Sequence, residues 1–168
     1  MLTAGHVSGK PGREVKIILA DGRELKGKAL GMNGDTDSGL VQITDPPKDL
    51  PIVQYDKSEK ELPDVGQWCI AVGNPGGLDK DRGVVVRVGR VISAKSDTIR
   101  TDCMLLGGDS GGPLFNFNGV VIGIHSRISS RPDNNMHVSM PAFQADWKAL
   151  NDSKALGKRA GRGRPSPT

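Results

Sequence analysis

Short apolar runs, each closed by Gly, Pro, Asp or Ser, recur from one end of the chain to the other. The clearest are VKIILA (15–20), GLVQI (39–43), QWCIAVG (67–73), GVVVRVGRVISA (83–94) and TIRTDCML (98–105). Their β-branched content and spacing predict antiparallel strands rather than helices. Two hairpins stand out: residues 15–30 reverse at Asp21-Gly22, and PLFNF returns as VVIGIHS at Asn118-Gly119. In both, the Asn/Asp-Gly pair predicts a two-residue turn. The pattern divides near 45–66 into two sets of strands. One segment has helical period: PAFQADWKAL (141–150) carries Pro141 in its first turn and spaces Phe143, Trp147 and Leu150 on one face.

The 168 residues are enough for one domain with its own core, and the 23 glycines and 11 prolines suit a protein of many turns. The net charge of +4 is misleading as a whole-chain figure. Lys154, Lys158, Arg159, Arg162 and Arg164 lie in the acid-free stretch 153–168, so the body before it is near neutrality. That stretch has nothing to bury and is expected to be a disordered basic tail. Its Arg162-Gly163-Arg164-Pro165 core matches part of a minor-groove-binding pattern, but four residues match easily by chance, and no nucleic-acid partner is expected. Two cysteines, Cys69 and Cys103, are too few for a disulfide framework and read as reduced. No run of apolar residues is long enough for a membrane-spanning helix, and no signal peptide opens the chain. The three histidines and two cysteines lack metal-ligand spacing, so neither a metal nor a cofactor is expected.

Chemistry enters with GGDSGGPL at 107–114. A serine hydroxyl is a weak nucleophile at neutral pH and needs a base within reach and donors for the developing oxyanion. The small residues around Ser110 allow a tight turn that leaves the N–H groups of Gly108 and Ser110 free to converge. Taken alone, the stretch could be an ordinary glycine-rich turn. What changes that reading is His6 upstream, in MLTAGHV, and an acid from DTD (35–37) between the two. The order histidine, acid, serine is one of several in which this constellation occurs, and it discriminates between folds.

TAGHV, DTDSGLVQI, AVGNPGG, TDCMLLGGDSGGPLF and VIGIHS together resemble the trypsin-like serine proteases, the Deg/HtrA type most of all, over about residues 2–150. The resemblance implies an all-β fold of two antiparallel six-stranded β-barrels with a catalytic cleft between them and a short C-terminal helix. The first barrel would occupy about 1–60, the second about 61–140 and the helix about 141–150. It implies a serine endopeptidase with His6 as general base, Asp37 orienting its imidazole and Ser110 as nucleophile. Asp37 is preferred to Asp35 because it directly precedes the SGLVQI strand, as the family's acid does. Gly108 and Ser110 would supply the oxyanion hole. His125 and His137 read as pocket or barrel-wall residues.

By the same resemblance, Met104 falls where trypsins carry the aspartate that captures Lys or Arg, and Leu105 follows it. An apolar residue before the scissile bond is therefore expected. Ser126, Arg127 and Ile128 correspond to the edge along which an extended substrate lies, with His137 counted among the substrate-binding residues. Arg127 there reads as a solvated charge or as a weak attraction for acidic substrate residues. The partner of Asp109, which stands where Deg/HtrA proteins most often have Asn, is left open. Polypeptides are the expected partners, an extracytoplasmic setting follows by resemblance only, and the oligomeric state is not readable.

After His6 only about four first-barrel strands are expected, at about 14–20, 23–32, 38–44 and 51–55. The first barrel is therefore expected to be incomplete, and the chain to be an N-terminally truncated protease of weakened activity. The alternative is a peptide-binding module of the same fold.

Overall fold

The computed structural model describes residues 1–55, 62–131 and 133–157. Eleven strands and two helices are formed among them. The first sheet is built from β1 (Leu2–Ala4), β2 (Glu14–Ile18), β3 (Glu24–Asn33) and β4 (Ser38–Ile43), joined by the two-residue β11 (Ala155–Leu156). Between β1 and β2 sits a single helical turn, α1 (Gly5–Ser8). β3 is the spine of this sheet. It pairs with β4 on one edge, and on the other with β2 along its first half and β11 along its second.

The remaining strands are β5 (Trp68–Gly73), β6 (Val85–Ala94), β7 (Thr98–Thr101), β8 (Pro113–Asn116), β9 (Val121–Arg127) and β10 (Asn135–Ser139). They close into an antiparallel barrel in the order β10-β7-β6-β5-β8-β9. Closure leaves no unpaired edge and lets alternate residues fill the interior. Cys69, Ala71, Val91, Ile99, Cys103, Leu105, Leu114 and Ile122 form that core. Cys69 and Cys103 are free, buried thiols with their sulfurs 3.8 Å apart.

The first sheet, by contrast, does not close. Its apolar face, the 50–55 stretch and α2 (Met140–Asn151) bound an open cavity of about 850 Å³ that includes Leu2, Ile17, Ile43, Val53 and Trp147. The strand expected at 51–55 is not formed. Only Tyr55 makes a β-bridge, to Val121 of the barrel, and the carbonyl of Gln54 accepts from Val121 N–H. Leu50, Pro51, Ile52 and Val53 border the cavity instead, with Ile52 and Val53 largely exposed.

Both expected two-residue hairpin turns are three-residue loops. Gly22 N–H donates to Leu19 C=O while Leu19 N–H donates to Arg23 C=O, and Gly119 and Asn116 repeat the arrangement with Val120. Only the glycines have positive φ, +86° and +74°. This is a turn closed by a left-handed glycine, and Asp21 and Asn118 keep ordinary backbone.

Helix α2 begins one residue earlier than expected. The Ser139 hydroxyl caps it by accepting from Ala142 N–H, and Pro141 occupies its first turn. Although it follows the barrel in sequence, α2 packs on the first sheet, with Leu150 buried against β3. A short part of the expected tail is ordered: Ala155 and Leu156 pair in parallel with Met32 and Asn33. The rest, 158–168 with its Arg162–Arg164 pattern, lies outside the described residues. Among the described residues, no helix is long and apolar enough to cross a membrane.

The helix approaches β3 so closely that a Cβ on Gly31 would lie 2.5 Å from Leu150 Cα and 2.6 Å from the Lys154 carbonyl oxygen. Backbone on both sides cannot yield as a side chain would. Gly31→Ala is expected to lower stability by about 1–3 kcal/mol, measured by urea denaturation. Alanine at Gly22, which touches nothing, costs only its positive φ.

Candidate active site

β1 ends at Ala4 and the chain turns directly into α1, which carries His6. Gly5 makes this turn possible: its N–H donates to Asp37 C=O at 2.6 Å, and a Cβ there would press on Asp37 and Ser38 backbone. His6 Nδ1 lies 2.9 and 3.1 Å from the two oxygens of Asp37. A carboxylate only accepts, so Nδ1 carries the proton, and in the neutral ring Nε2 is left as the basic nitrogen. The His6 backbone N–H also donates to Asp37 Oδ1 at 2.9 Å.

Asp37 sits in a turn before β4 at φ +67°, a conformation that aspartate tolerates better than most residues. The turn is held from a distance. Asp146 of α2 accepts from Asn33 Nδ2 at 2.8 Å, Ser38 Oγ at 3.1 Å and Thr36 Oγ1 at 3.4 Å. The Asp37 carboxylate, almost wholly buried, takes a further bond of 2.6 Å from Ser126 Oγ on β9. Burial alone would raise its pKa. The hydrogen bonds from His6 and Ser126, with the charge of His6, outweigh burial and hold it below the usual carboxylate range.

Ser110 lies half-buried in the loop entering β8. Gly108 and Gly111 flank it at φ +104° and +87°, values that a side chain rarely adopts. A Cβ on Gly108 would meet Asn74 C=O and the N–H groups of Gly76 and Gly77 within 2.7 Å. AVGNPGG therefore backs the serine loop, and Gly76 N–H donates to Gly107 C=O at 2.6 Å. Gly111 N–H binds His125 C=O and Gly112 C=O accepts from His125 N–H, both at 2.8 Å. The N–H groups of Gly108 and Ser110 and the Ser110 hydroxyl have no hydrogen-bond partner among the described residues. Nor does a hydrogen bond join His6 to Ser110. Thr3, three residues before His6, packs on Gly111, which brings the two loops to one seam.

Asp109, nearly fully buried, has a partner that sequence reasoning missed. Arg87 of β6 points into the barrel and places Nη1 3.2 Å from Asp109 Oδ2, which also accepts from Leu106 N–H at 2.8 Å. The available signal was parity: Arg87 shares the inward side of β6 with Val85, Gly89 and Val91, and a charge on that side requires an opposite one. Two other expected site residues are interior. Leu105 belongs to the barrel core, and His137 is fully buried, so neither opens onto a cleft. Met104 and Ile128 are about half exposed, 52% and 56%, and Arg127 Nη2 donates to Asp35 C=O at 3.1 Å.

His137 belongs to a chain of buried polar groups. His125 Nε2 faces the Val72 carbonyl at 3.2 Å and so donates, leaving Nδ1 to accept from His137 Nδ1 at 2.9 Å. His137 Nε2 then accepts from Thr101 Oγ1 at 2.8 Å. With both rings neutral, every bond of this chain is satisfied. Burial pushes His125 down to about 4, and burial together with the charge of His125 pushes His137 well below its ordinary value. Among the described residues, no group of three or more His, Cys, Asp or Glu is placed to hold a metal ion.

A family model described as trypsin-like peptidase domain matches residues 1–124. Over 143 residues the chain is 38% identical to the "Probable periplasmic serine endoprotease DegP-like" of Pseudomonas fluorescens, covering 83% of this chain and 29% of that protein. The protein of the same name from Pseudomonas savastanoi pv. phaseolicola is 36% identical over 165 residues, covering 94% of this chain and 33% of its own length. The chain thus spans about a third or less of these curated relatives. The crystal structure of the serine endoprotease from Yersinia pestis superposes with a TM-score of 0.73 at 22% identity, over 89% of this chain and 53% of that one, a likeness of fold. Relatives named as endoproteases do not favour the peptide-binding-module alternative.

Removing one member of the buried pair leaves the other charge stranded. Arg87→Met is expected to cost about 3–5 kcal/mol in urea denaturation, and adding Asp109→Asn to recover much of that loss. The histidines set a pH limit of their own. Each is protonated more readily unfolded than folded, so the stability they contribute is complete above about pH 6.5 and is lost as pH falls toward 4. Thermal melts across this window should show the decline, and His125→Asn should flatten it.

Proposed function

Because the chain belongs to the trypsin-like peptidase family, we propose that it is a serine endopeptidase that cleaves polypeptides through an acyl-enzyme. The observation that carries this reading is the approach of His6, Asp37 and Ser126 from the two strand systems to one seam, beside a serine loop with two unpartnered N–H groups. In the proposed mechanism, substrate binding brings the Ser110 hydroxyl within reach of His6 Nε2. His6 takes the proton as Ser110 Oγ attacks the scissile carbonyl. Asp37, whose negative charge is stabilised by three donors, holds the ring with Nδ1–H inward and stabilises the imidazolium. The N–H groups of Gly108 and Ser110 receive the oxyanion. His6 then returns the proton to the leaving amine, and the same steps with water release the acyl group.

The glycines serve this chemistry through backbone geometry. A donor aimed at the oxyanion helps only if it does not have to move during reaction. The serine loop is braced by Gly76 on one side and by Asp109, itself fixed by Arg87 and Leu106 N–H, on the other. Met104, exposed at the start of this loop, favours an apolar side chain before the scissile bond. Ser126, Arg127 and Ile128 offer the edge on which substrate backbone lies extended. An extracytoplasmic setting, like that named for the relatives, is part of this proposal.

A fluorophosphonate should label the chain at Ser110 and fail to label Ser110→Ala; absence of labelling in folded wild type would refute the proposal. Asp37→Asn should lower peptidase turnover by about 10⁴-fold with the fold intact, because the wrong imidazole tautomer is then held. A peptide library should be cut after apolar residues, and a Lys/Arg preference would contradict the role given to Met104.

A further inference from the structure

Strand register lines up four side chains across the barrel wall. Ser93 of β6 pairs with Arg100 of β7, Arg100 with Met136 of β10, and Met136 with Arg127 of β9. With Lys95 and Asp97, these residues surround a cavity of about 300 Å³. Three cations thus face one space against a single carboxylate. None of the three forms an ion pair among the described residues, whereas Lys16, Arg23, Arg87 and Arg131 all do. Cations of one sign gathered in a concavity focus the field and draw an anion in. Met136, between the two arginines, supplies an apolar surface for the methylene stem of a bound side chain.

Arg127 locates the cavity relative to the seam. Its neighbour Ser126 binds Asp37, and its own guanidinium reaches the Asp35 carbonyl of the first sheet. The space therefore opens one residue beyond the seam, along the 126–128 edge rather than at Ser110.

We propose that this cavity is a substrate subsite that receives the carboxylate of an Asp or Glu side chain from the bound polypeptide, at a position removed from the scissile bond. The proposal rests on the endopeptidase reading above and on the substrate lying along 126–128. Arg100, Lys95 and Arg127 supply the donors. Exposed ion pairs are individually weak, so two or three of them yield a preference of roughly three- to tenfold for Glu over Gln at that position. Being partly solvated, the preference shrinks with added salt.

The test uses the full chain. Fluorescent ten-residue peptides with Glu or Gln walked through each position are bound to the Ser110→Ala form and cleaved by the wild type. The expected result is one position at which Glu binds roughly three- to tenfold tighter than Gln. That ratio should fall toward one in Arg100→Gln/Arg127→Gln and, without any substitution in the cavity, in about 0.5 M sodium chloride. Equal binding of Glu and Gln peptides at every position overturns the proposal, as does a preference that survives both the double substitution and salt. Inorganic phosphate binding without a peptide preference also overturns it, marking a free-anion site. A Glu preference in the Ser110→Ala form with no cleavage by wild type removes the endopeptidase reading and leaves the subsite standing. Cleavage with no Glu preference does the reverse.

Discussion

The Asp37 carboxylate collects hydrogen bonds from His6 Nδ1, His6 N–H and Ser126 Oγ, groups separated by up to 120 positions in the chain. Two of the donors come from α1 and one from the barrel. The bond network is therefore both the orienting half of the proposed chemistry and a joint between the two strand systems. It works because the carboxylate is buried but not isolated: desolvation is offset by donors, so the charge persists where water would otherwise screen it. Asp146 extends the joint by fixing the turn from α2. Once this cluster is in place, His6 has one ring orientation.

The serine loop depends on a different kind of buried charge. Asp109 and Arg87 are held inside the barrel, where the attraction of a pair repays desolvation only with good geometry and further hydrogen bonds. Its position between Gly108 and Ser110 ties that pair to the direction in which the backbone donors point. The adjacent His125–His137–Thr101 chain keeps the floor of the barrel polar yet uncharged at neutral pH. Rigidity at the serine loop thus comes from buried polar contacts as well as from apolar packing.

The two strand systems solve the edge problem differently. The barrel closes on itself through the pairing of β9 with β10, while the first sheet leaves an apolar concavity open beside β1, the strand that leads into His6. Contacts at Val121, where Gln54 and Tyr55 reach across, and the packing of α2 on β3 and β4 hold that sheet against the barrel.

Alternation of apolar residues, together with glycines at the ends of runs, determined the strand-rich class, the helix at the C-terminal end and most strand positions, because these depend on neighbours close in the chain. GGDSGGPL, with a histidine and an acid ahead of it, was legible as a chemical pattern for the same reason. The strand expected at 51–55 is not formed because those residues border the open cavity with their side chains largely exposed and only Tyr55 bridges to the barrel, which only the packed structure could reveal. The partners of Arg87 and Asp146 and the burial of Leu105 were likewise hidden. Each acquires its meaning from residues distant in sequence, and a charge or hydroxyl carries no local mark of the partner that burial will require of it. Sequence by itself determined which residues could do chemistry; tertiary structure decided which of them meet, because burial, register and the direction of a hydrogen bond are properties of the closed fold.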